Sequence, residues 1–200
     1  MTAVFSTAYL PPIAWVASMM QHTGQVLIEA KETFPKQTYR NRMEIMTAGG
    51  VRTLTVPVIR ENHSRTEEVG IDYKERWNII HLRTLSAAYS ASPYYLYYKD
   101  DLEALLTTRY ERLIDLNKAL LTWVFRLLKT DLQLQRTESY QREYTLDYRN
   151  IFSPKHPYPT HQFKPYYQVF SDRIPFVPNL SILDLLMNLG PEARDYLKTL

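Results

Sequence analysis

The segment Val4-Phe5-Ser6-Thr7-Ala8-Tyr9-Leu10-Pro11-Pro12 sets the pattern from which the fold class is predicted. Its apolar and aromatic first residues favour an extended chain, so we expect a strand from Val4 to Tyr9. The two prolines then end that strand. Pro11 biases the residue before it towards extended geometry, and Pro12 can occupy the first position of a helix. The segment therefore predicts a strand that turns sharply into a helix.

Helical and extended patterns continue to alternate after this turn. Apolar residues at helical spacing predict a short, largely buried helix from Ile13 to His22, and the compact apolar run Gln25 to Ala30 predicts a buried strand. Two further strands, Tyr39 to Thr47 and Val51 to Arg60, flank Ala48-Gly49-Gly50, which is a hairpin signal.

Longer helices are predicted in the second half of the chain. Lys74 to Ala91 has one apolar face, and Ser92-Pro93 is a typical helix start with serine as the N-cap. Asp101 to Leu128 is a long amphipathic segment that forms either one helix of about seven turns or two helices with a bend. Leu180 to Leu189 is apolar on nearly every side, which predicts a buried helix.

Two late strands, Leu132 to Tyr140 and Tyr166 to Phe170, complete the prediction. Taken together, the elements predict a mixed α/β protein. We expect a single domain over residues 1–200, in which helices pack on a small mixed sheet around a long central amphipathic helix. Two hundred residues are enough to bury a sizeable core in one domain.

The composition excludes several classes of function. The chain has no cysteine, which removes thiol nucleophiles, disulfides and cysteine zinc sites. The net charge of +3 is too small to indicate a nucleic-acid partner, and no apolar run approaches a membrane span. No glycine-rich phosphate loop is present, and we expect no cofactor. His156 and His161 form only a weak candidate metal site. These features predict a cytoplasmic protein.

Positive charge is concentrated in one part of the chain. Residues 31–60 hold six Lys or Arg and two Glu, and the segment Phe34 to Arg42 lies at the centre of this positive charge. If that segment is extended, Arg40 and Arg42 share one face about 7 Å apart, a spacing that suits one anion between two guanidinium groups. Asn41 then faces the other way unless the strand is bulged. The alternative is a charged edge strand that discourages pairing with other chains.

Other candidate site residues lie on the predicted helices. His81 is on the apolar face of its helix, one turn from Trp77, and burial would keep it neutral, as a general base must be. A hydrogen-bonded core histidine is the more common fate of such a residue. Asp184 and Ser181 have the spacing of an N-terminal capping pair.

Several of these motifs, in this order, resemble the WbqC-like protein family. They are Thr7-Ala8-Tyr9-Leu10-Pro11-Pro12, Tyr39-Arg40-Asn41-Arg42, Trp77 with His81, Ser90-Ala91-Ser92-Pro93-Tyr94, Tyr166-Tyr167-Gln168-Val169-Phe170, and the segment from Phe176 to Leu186. The resemblance spans nearly the whole chain and is strongest to the short branch found in Bacteroidetes-type bacteria. Longer members carry Gln-Pro where this chain has Ser6-Thr7, a departure that puts any chemistry of those residues in doubt.

The resemblance implies a role in decorating an amino sugar of a surface polysaccharide of the O-antigen type. On this hypothesis the chain is a transferase for an acyl or aminoacyl group, with Tyr9 and His81 as catalytic residues. Its substrate is a small anionic molecule, a nucleotide-sugar or an activated acyl donor. The predicted binding residues are Arg40, Asn41, Arg42, Trp77 and Asp184. The alternative is a non-catalytic binding or scaffold protein that uses its arginine and tyrosine surfaces. The sequence leaves the oligomeric state open.

Overall fold

The computed structural model describes residues 2–22, 25–155, 158–159 and 163–200. The strands are β1 (Ala3–Ser6), β2 (Val26–Glu29), β3 (Arg42–Thr47), β4 (Gly50–Thr55), β5 (Val58–Ile59), β6 (Gly70–Ile71), β7 (Gln135–Arg136) and β8 (Leu146–Asp147). The helices are α1 (Ile13–Met20), α2 (Trp77–Tyr89), α3 (Tyr95–Thr107), α4 (Leu113–Leu127), α5 (Ile182–Leu189) and α6 (Ala193–Leu197).

A parallel sheet with the strand order β7-β2-β1-β8 lies at the centre of the fold. Strands β1 and β2 are joined through α1, so the turn at Pro11-Pro12 opens a β-α-β unit. Antiparallel pairing occurs in two separate two-stranded sheets, β3-β4 and β5-β6. The predicted mixed α/β class, with helices packed on a small sheet, is confirmed. Because all pairs in the main sheet are parallel, the carboxyl ends of its strands meet at one edge.

The hairpin is confirmed, with shorter arms than predicted. β3 and β4 pair in antiparallel register from Arg42 with Thr55 to Thr47 with Gly50. Gly50 has φ +98°, a backbone conformation that glycine adopts without steric cost. Helix α2 packs against β3, which brings the helix that carries His81 onto the hairpin.

The long amphipathic segment forms two helices rather than one. The helices α3 and α4 are separated by residues 108–112, and the backbone turns to extended geometry at Thr108. The residues between the two helices then join the β5–β6 sheet at β6, because the Ile71 N–H donates to the Glu111 carbonyl and the Leu113 N–H to the Val69 carbonyl. Buried apolar residues from Ala3 to Leu197 form one hydrophobic cluster.

Several predicted boundaries are wrong. Residues 36–40 form turns and bends instead of a strand, and Gln37 has φ +61°. The strand predicted from Leu132 to Tyr140 has only the two residues of β7, and Tyr166 to Phe170 is irregular. Ser92 does not cap α3; its hydroxyl donates to the Tyr89 carbonyl at the end of α2.

Within the described residues, no helix is long and apolar enough to span a membrane. The described parts of the chain also contain no group of three His, Cys, Asp or Glu side chains arranged to hold a metal ion. The weak metal prediction at His156 and His161 lies outside the described residues.

Candidate functional site

Two residues that lie 72 positions apart in the chain, Tyr9 and His81, form a buried hydrogen bond. The Tyr9 hydroxyl oxygen lies 2.9 Å from His81 Nδ1, and the two residues are 0% and 3% exposed. Tyr9 follows the first strand of the sheet and His81 lies in the second turn of α2. The structure therefore brings together the two residues predicted to be catalytic, here called the tyrosine–histidine pair.

Burial fixes the protonation of this pair. Removal of water lowers the pKa of His81 to about 4, and the positive charge of Arg52 acts in the same direction. Burial raises the pKa of Tyr9 far above its ordinary value. Near neutral pH the tyrosine therefore keeps its proton and the imidazole is neutral. We assign the tyrosine hydroxyl as the donor to Nδ1, and in that tautomer Nε2 carries the ring hydrogen. A hydrogen bond between the His81 ring and the Thr55 backbone partly opposes this lowering of the histidine pKa. This is the effect expected if the Thr55 backbone accepts the Nε2 hydrogen.

Aromatic rings surround the pair on one side. Trp77 lies one turn before His81, with ring centroids 5.2 Å apart, and it meets Tyr9 edge-on at 6.4 Å. Tyr73 extends this group, because its ring centroid is 5.9 Å from that of Trp77. The Nε1–H of Trp77 is buried and has no hydrogen-bond partner within the residues that the structure describes. A buried unpaired donor is costly, so this N–H is free to bind an oxygen atom of a ligand.

A strained turn positions Tyr9. The next residue, Leu10, has φ +45° and is fully buried, an uncommon conformation for a residue with a branched side chain. Hydrogen bonds hold the turn against the start of α5: the Ser181 hydroxyl donates to the Leu10 carbonyl, and the Ile182 N–H donates to the Pro11 carbonyl. Strained backbone held by its surroundings is often found at functional sites.

Arg42 lies on strand β3 of the hairpin. In the β3–β4 register it is opposite Thr55, whose backbone influences His81. Arg42 is half-buried, and among the described residues its Nε has no hydrogen-bond partner. This arginine therefore keeps donor capacity on the pair of strands to which Thr55 belongs.

The structure places Arg40 elsewhere. Its side chain is 2% exposed, and its Nε and Nη2 lie 2.8 and 2.7 Å from Glu32 Oε1. The same Nη2 also donates to the Arg149 carbonyl at 3.2 Å. Burial raises the pKa of Glu32, although the charge of Arg40 opposes the shift. Arg40 and Arg42 therefore lie in different environments and do not face a common anion.

The remaining charges of this region gather at the carboxyl edge of the parallel sheet. Arg149 Nη1 pairs with the fully buried Glu29 at 3.2 Å, and the Thr137 hydroxyl donates to the same carboxylate at 2.7 Å. Arg149 also binds Asp147 through its Nε. We call Glu29, Glu32, Arg40, Thr137, Asp147 and Arg149 the edge cluster. Arg149 is not among the predicted site residues, since a lone arginine in a proline-rich loop gives no local signal of burial.

Two other predicted site residues have structural partners. The Asn41 amide donates to the Val56 carbonyl and is buried beside the hairpin. Asp184 is fully buried, and its carboxylate accepts hydrogen bonds from Tyr89, Tyr166 and Gln168 at 3.0, 2.6 and 2.8 Å. Burial raises the pKa of Asp184. Ser181 caps α5 as predicted, but the Asp184 side chain does not complete the cap, because its oxygen atoms bind these three donors.

Comparison with known proteins gives a family match across almost the whole chain. The family model described as "WbqC-like protein family" matches residues 7–152 and 155–196. The chain is 28% identical over 230 aligned positions to "Uncharacterized protein Rv1507c" of Mycobacterium tuberculosis, an alignment that covers 98% of this chain and 96% of that protein. No solved structure matches this chain significantly.

Proposed function

Since this chain belongs to the WbqC-like protein family, we propose that it transfers an acyl or aminoacyl group to the amine of an amino sugar, in surface-polysaccharide biosynthesis. The observation that carries the proposal is the tyrosine–histidine pair, in which a neutral imidazole lies 2.9 Å from a tyrosine hydroxyl. A neutral imidazole can accept a proton, and proton removal is what an amine must undergo as it attacks a carbonyl carbon.

The proposed step uses only residues of this group. The amine nitrogen attacks the acyl carbon and a C–N bond forms. The amine proton passes to the Tyr9 oxygen while the Tyr9 proton moves to His81 Nδ1. The leaving group then departs with the bonding electron pair and receives a proton from the pair. The unpartnered Trp77 Nε1–H and Arg42 Nε–H are the donors assigned to the negative charge that develops on the carbonyl oxygen.

The proposal requires a conformational step, because Tyr9 and His81 are buried. The rings of Tyr73 and Trp77 cover the pair and are the elements that we expect to move when substrate binds. Such closing and opening motions exclude water from the reaction and commonly limit turnover.

The test is transfer of radiolabelled acyl or aminoacyl groups from activated esters to amino sugars. Tyr9→Phe removes one hydroxyl and should lower the rate about 100-fold or more, the ordinary contribution of a positioned acid–base group. Tyr89→Phe is the matched control, because it removes another fully buried hydroxyl, that of the Asp184 site, and should leave the rate within about twofold. Equal rates in wild type and Tyr9→Phe would refute the assignment.

A second candidate function is a binding or scaffold role. The observation that favours it is on α3, where Leu96 and Tyr97 are 68% and 77% exposed. Exposed apolar side chains that lie together are typical of protein contact sites. If the protein supports no transfer and light scattering detects self-association that Leu96→Glu abolishes, the binding role replaces the catalytic one.

A further inference from the structure

A cleft of about 910 Å³ is linked to the tyrosine–histidine pair through two aromatic rings. Its walls come from the β5–β6 sheet and from the segment that links α3 to α4. Tyr73 lines the cleft and also packs against Trp77, which in turn packs against His81. Two aromatic rings thus separate the cleft from the pair, and the volume is that of a site for a small molecule.

Three arginines line this cleft, and in the part of the chain that the structure describes none of them pairs with a carboxylate. Arg109 Cζ lies 4.9 Å from the Tyr73 ring centroid, and Arg60 Cζ lies 5.9 Å from that of Phe34. Among the described residues neither arginine forms an ion pair, whereas Arg112 donates to the Glu68 carbonyl. The aromatic rings hold the two guanidinium groups in place, and their N–H groups stay available.

Two glutamates in the same cleft are equally free. Glu61 and Glu111 line it, and across the residues that the structure covers neither pairs with a lysine or arginine. Glu68 also lines the cleft, and its carboxylate accepts a hydrogen bond from the Arg65 N–H. Apart from Arg112 and Glu68, which bond to backbone groups, the cleft presents two positive and two negative side chains that form no ion pair among the described residues. A ligand that carries only an anion would be repelled by the carboxylates. The complementary ligand carries both charges.

We propose that this cleft binds the acceptor of the transfer as a phosphorylated amino sugar. In the bound state that precedes movement of the Tyr73 and Trp77 rings, the phosphate lies against Arg60 and Arg109 and the ammonium group lies near Glu61 and Glu111. Movement of the two rings then brings the amine to Tyr9. A phosphate is favoured over a carboxylate because one arginine satisfies a carboxylate, whereas two guanidinium groups from separate segments suit the larger dianion. The identity of the sugar amine as acceptor rests on the proposed function; the requirement for both charges rests on the cleft alone.

Isothermal titration calorimetry with glucosamine 6-phosphate tests the proposal on the intact chain. Glucose 6-phosphate lacks the amine and glucosamine lacks the phosphate, so each should bind about 10-fold or more weakly, the cost of losing one charged hydrogen bond. Absence of binding by glucosamine 6-phosphate at millimolar concentration would overturn the proposal. The proposal would also be overturned if glucose 6-phosphate bound as tightly as glucosamine 6-phosphate.

Charge-removing variants identify the site of binding. The double variant Arg60→Gln, Arg109→Gln should weaken the binding of glucosamine 6-phosphate about 10-fold or more and leave the binding of glucosamine unchanged. Arg83→Gln, on the exposed face of α2, is the control and should bind as wild type does. Thermal melting of both proteins checks that they fold. An unchanged affinity in the folded double variant would place the ligand elsewhere.

The carboxylate half is tested in the same way. The double variant Glu61→Gln, Glu111→Gln should weaken the binding of glucosamine 6-phosphate about 10-fold. Its affinity for this probe should then be close to its affinity for glucose 6-phosphate. Glu103→Gln, exposed on α3, is the control. Binding without transfer from any donor would refute the proposed function and leave the cleft assignment intact. Transfer that is insensitive to both double variants would refute the cleft assignment and leave the proposed function intact.

Discussion

The tyrosine–histidine pair and the edge cluster are both buried polar groups, but they differ in charge. The edge cluster contains charged side chains whose partners are present: Glu29 accepts hydrogen bonds from Thr137 and Arg149 and from the Lys31 N–H. The pair is neutral, because burial keeps the proton on Tyr9 and off His81.

The two groups also differ in what they leave unpaired. Among the described residues, the Nε1 of Trp77, which packs on the pair, and the Nε of Arg42 on β3 have no hydrogen-bond partner, whereas the side chains of the edge cluster are bonded to one another. A buried polar group that is fully paired stabilises one conformation, and an unpaired donor retains capacity for a ligand. The comparison indicates that the edge cluster supports the sheet and that the pair is available for chemistry.

The largest effect on stability is expected from Arg149→Met. This change leaves the fully buried Glu29 without its cation and should lower the free energy of unfolding by about 3–5 kcal/mol. Urea denaturation measures it. Arg173→Met is the control, because the Arg173–Asp172 pair is more than half exposed and its loss should cost less than about 1 kcal/mol.

If Arg149→Met and Arg173→Met both lower the free energy of unfolding by a similar, small amount, the edge cluster does not have a structural role. If Arg149→Met does not fold, the double variant Arg149→Met, Glu29→Gln serves instead. It removes the unpaired charge as well as the arginine, so it should recover part of the lost stability.

An intermediate effect is expected from the pH dependence that His81 contributes. Its pKa falls from 6.5 to about 4 on folding, so the unfolded chain binds a proton first as the pH drops. His81 therefore lowers the free energy of unfolding progressively as the pH falls below about 6.5. The total loss reaches about 3 kcal/mol and becomes constant below about pH 4.

Urea denaturation between pH 7.5 and pH 5 gives the measurement. The slope of the free energy of unfolding against pH is compared between wild type and His81→Gln. The difference gives the contribution of His81, since both proteins share all other titrating groups. A wild-type slope in His81→Gln would mean that the histidine is not buried as a neutral group.

Sequence patterns predicted the elements that depend on neighbouring residues. The hairpin at Gly49-Gly50, the helix with His81 and the turn at Pro11-Pro12 all follow from local chemistry, and the structure contains each. The failures are segments whose conformation depends on distant partners. Residues 36–40 are irregular because Arg40 is drawn to Glu32 and to the Arg149 carbonyl, a contact 109 positions away.

The contacts of the candidate site also depend on residues that are distant in the sequence. Tyr9 and His81 were each predicted as site residues, but their contact could not be derived, because it spans 72 positions and needs α2 to lie against the hairpin. Asp184 was expected to cap its helix. Its three donors come from α2 and from the segment before α5, so only the folded chain reveals them.

The smallest effect on stability is expected from Arg42→Gln, and it separates the two arginines that the sequence placed together. Arg42 is half-buried with an unpartnered Nε, so its loss should change the free energy of unfolding by less than about 1 kcal/mol. Arg40→Gln leaves Glu32 buried without its cation and should cost clearly more, about 3 kcal/mol. The transfer assay should give the reverse order, with the larger loss of rate in Arg42→Gln, because the proposed site includes Arg42 whereas Arg40 belongs to the edge cluster. A stable Arg42→Gln protein with full transfer activity would remove Arg42 from the proposed site, and the tyrosine–histidine pair would then depend on Trp77 alone for an oxyanion donor.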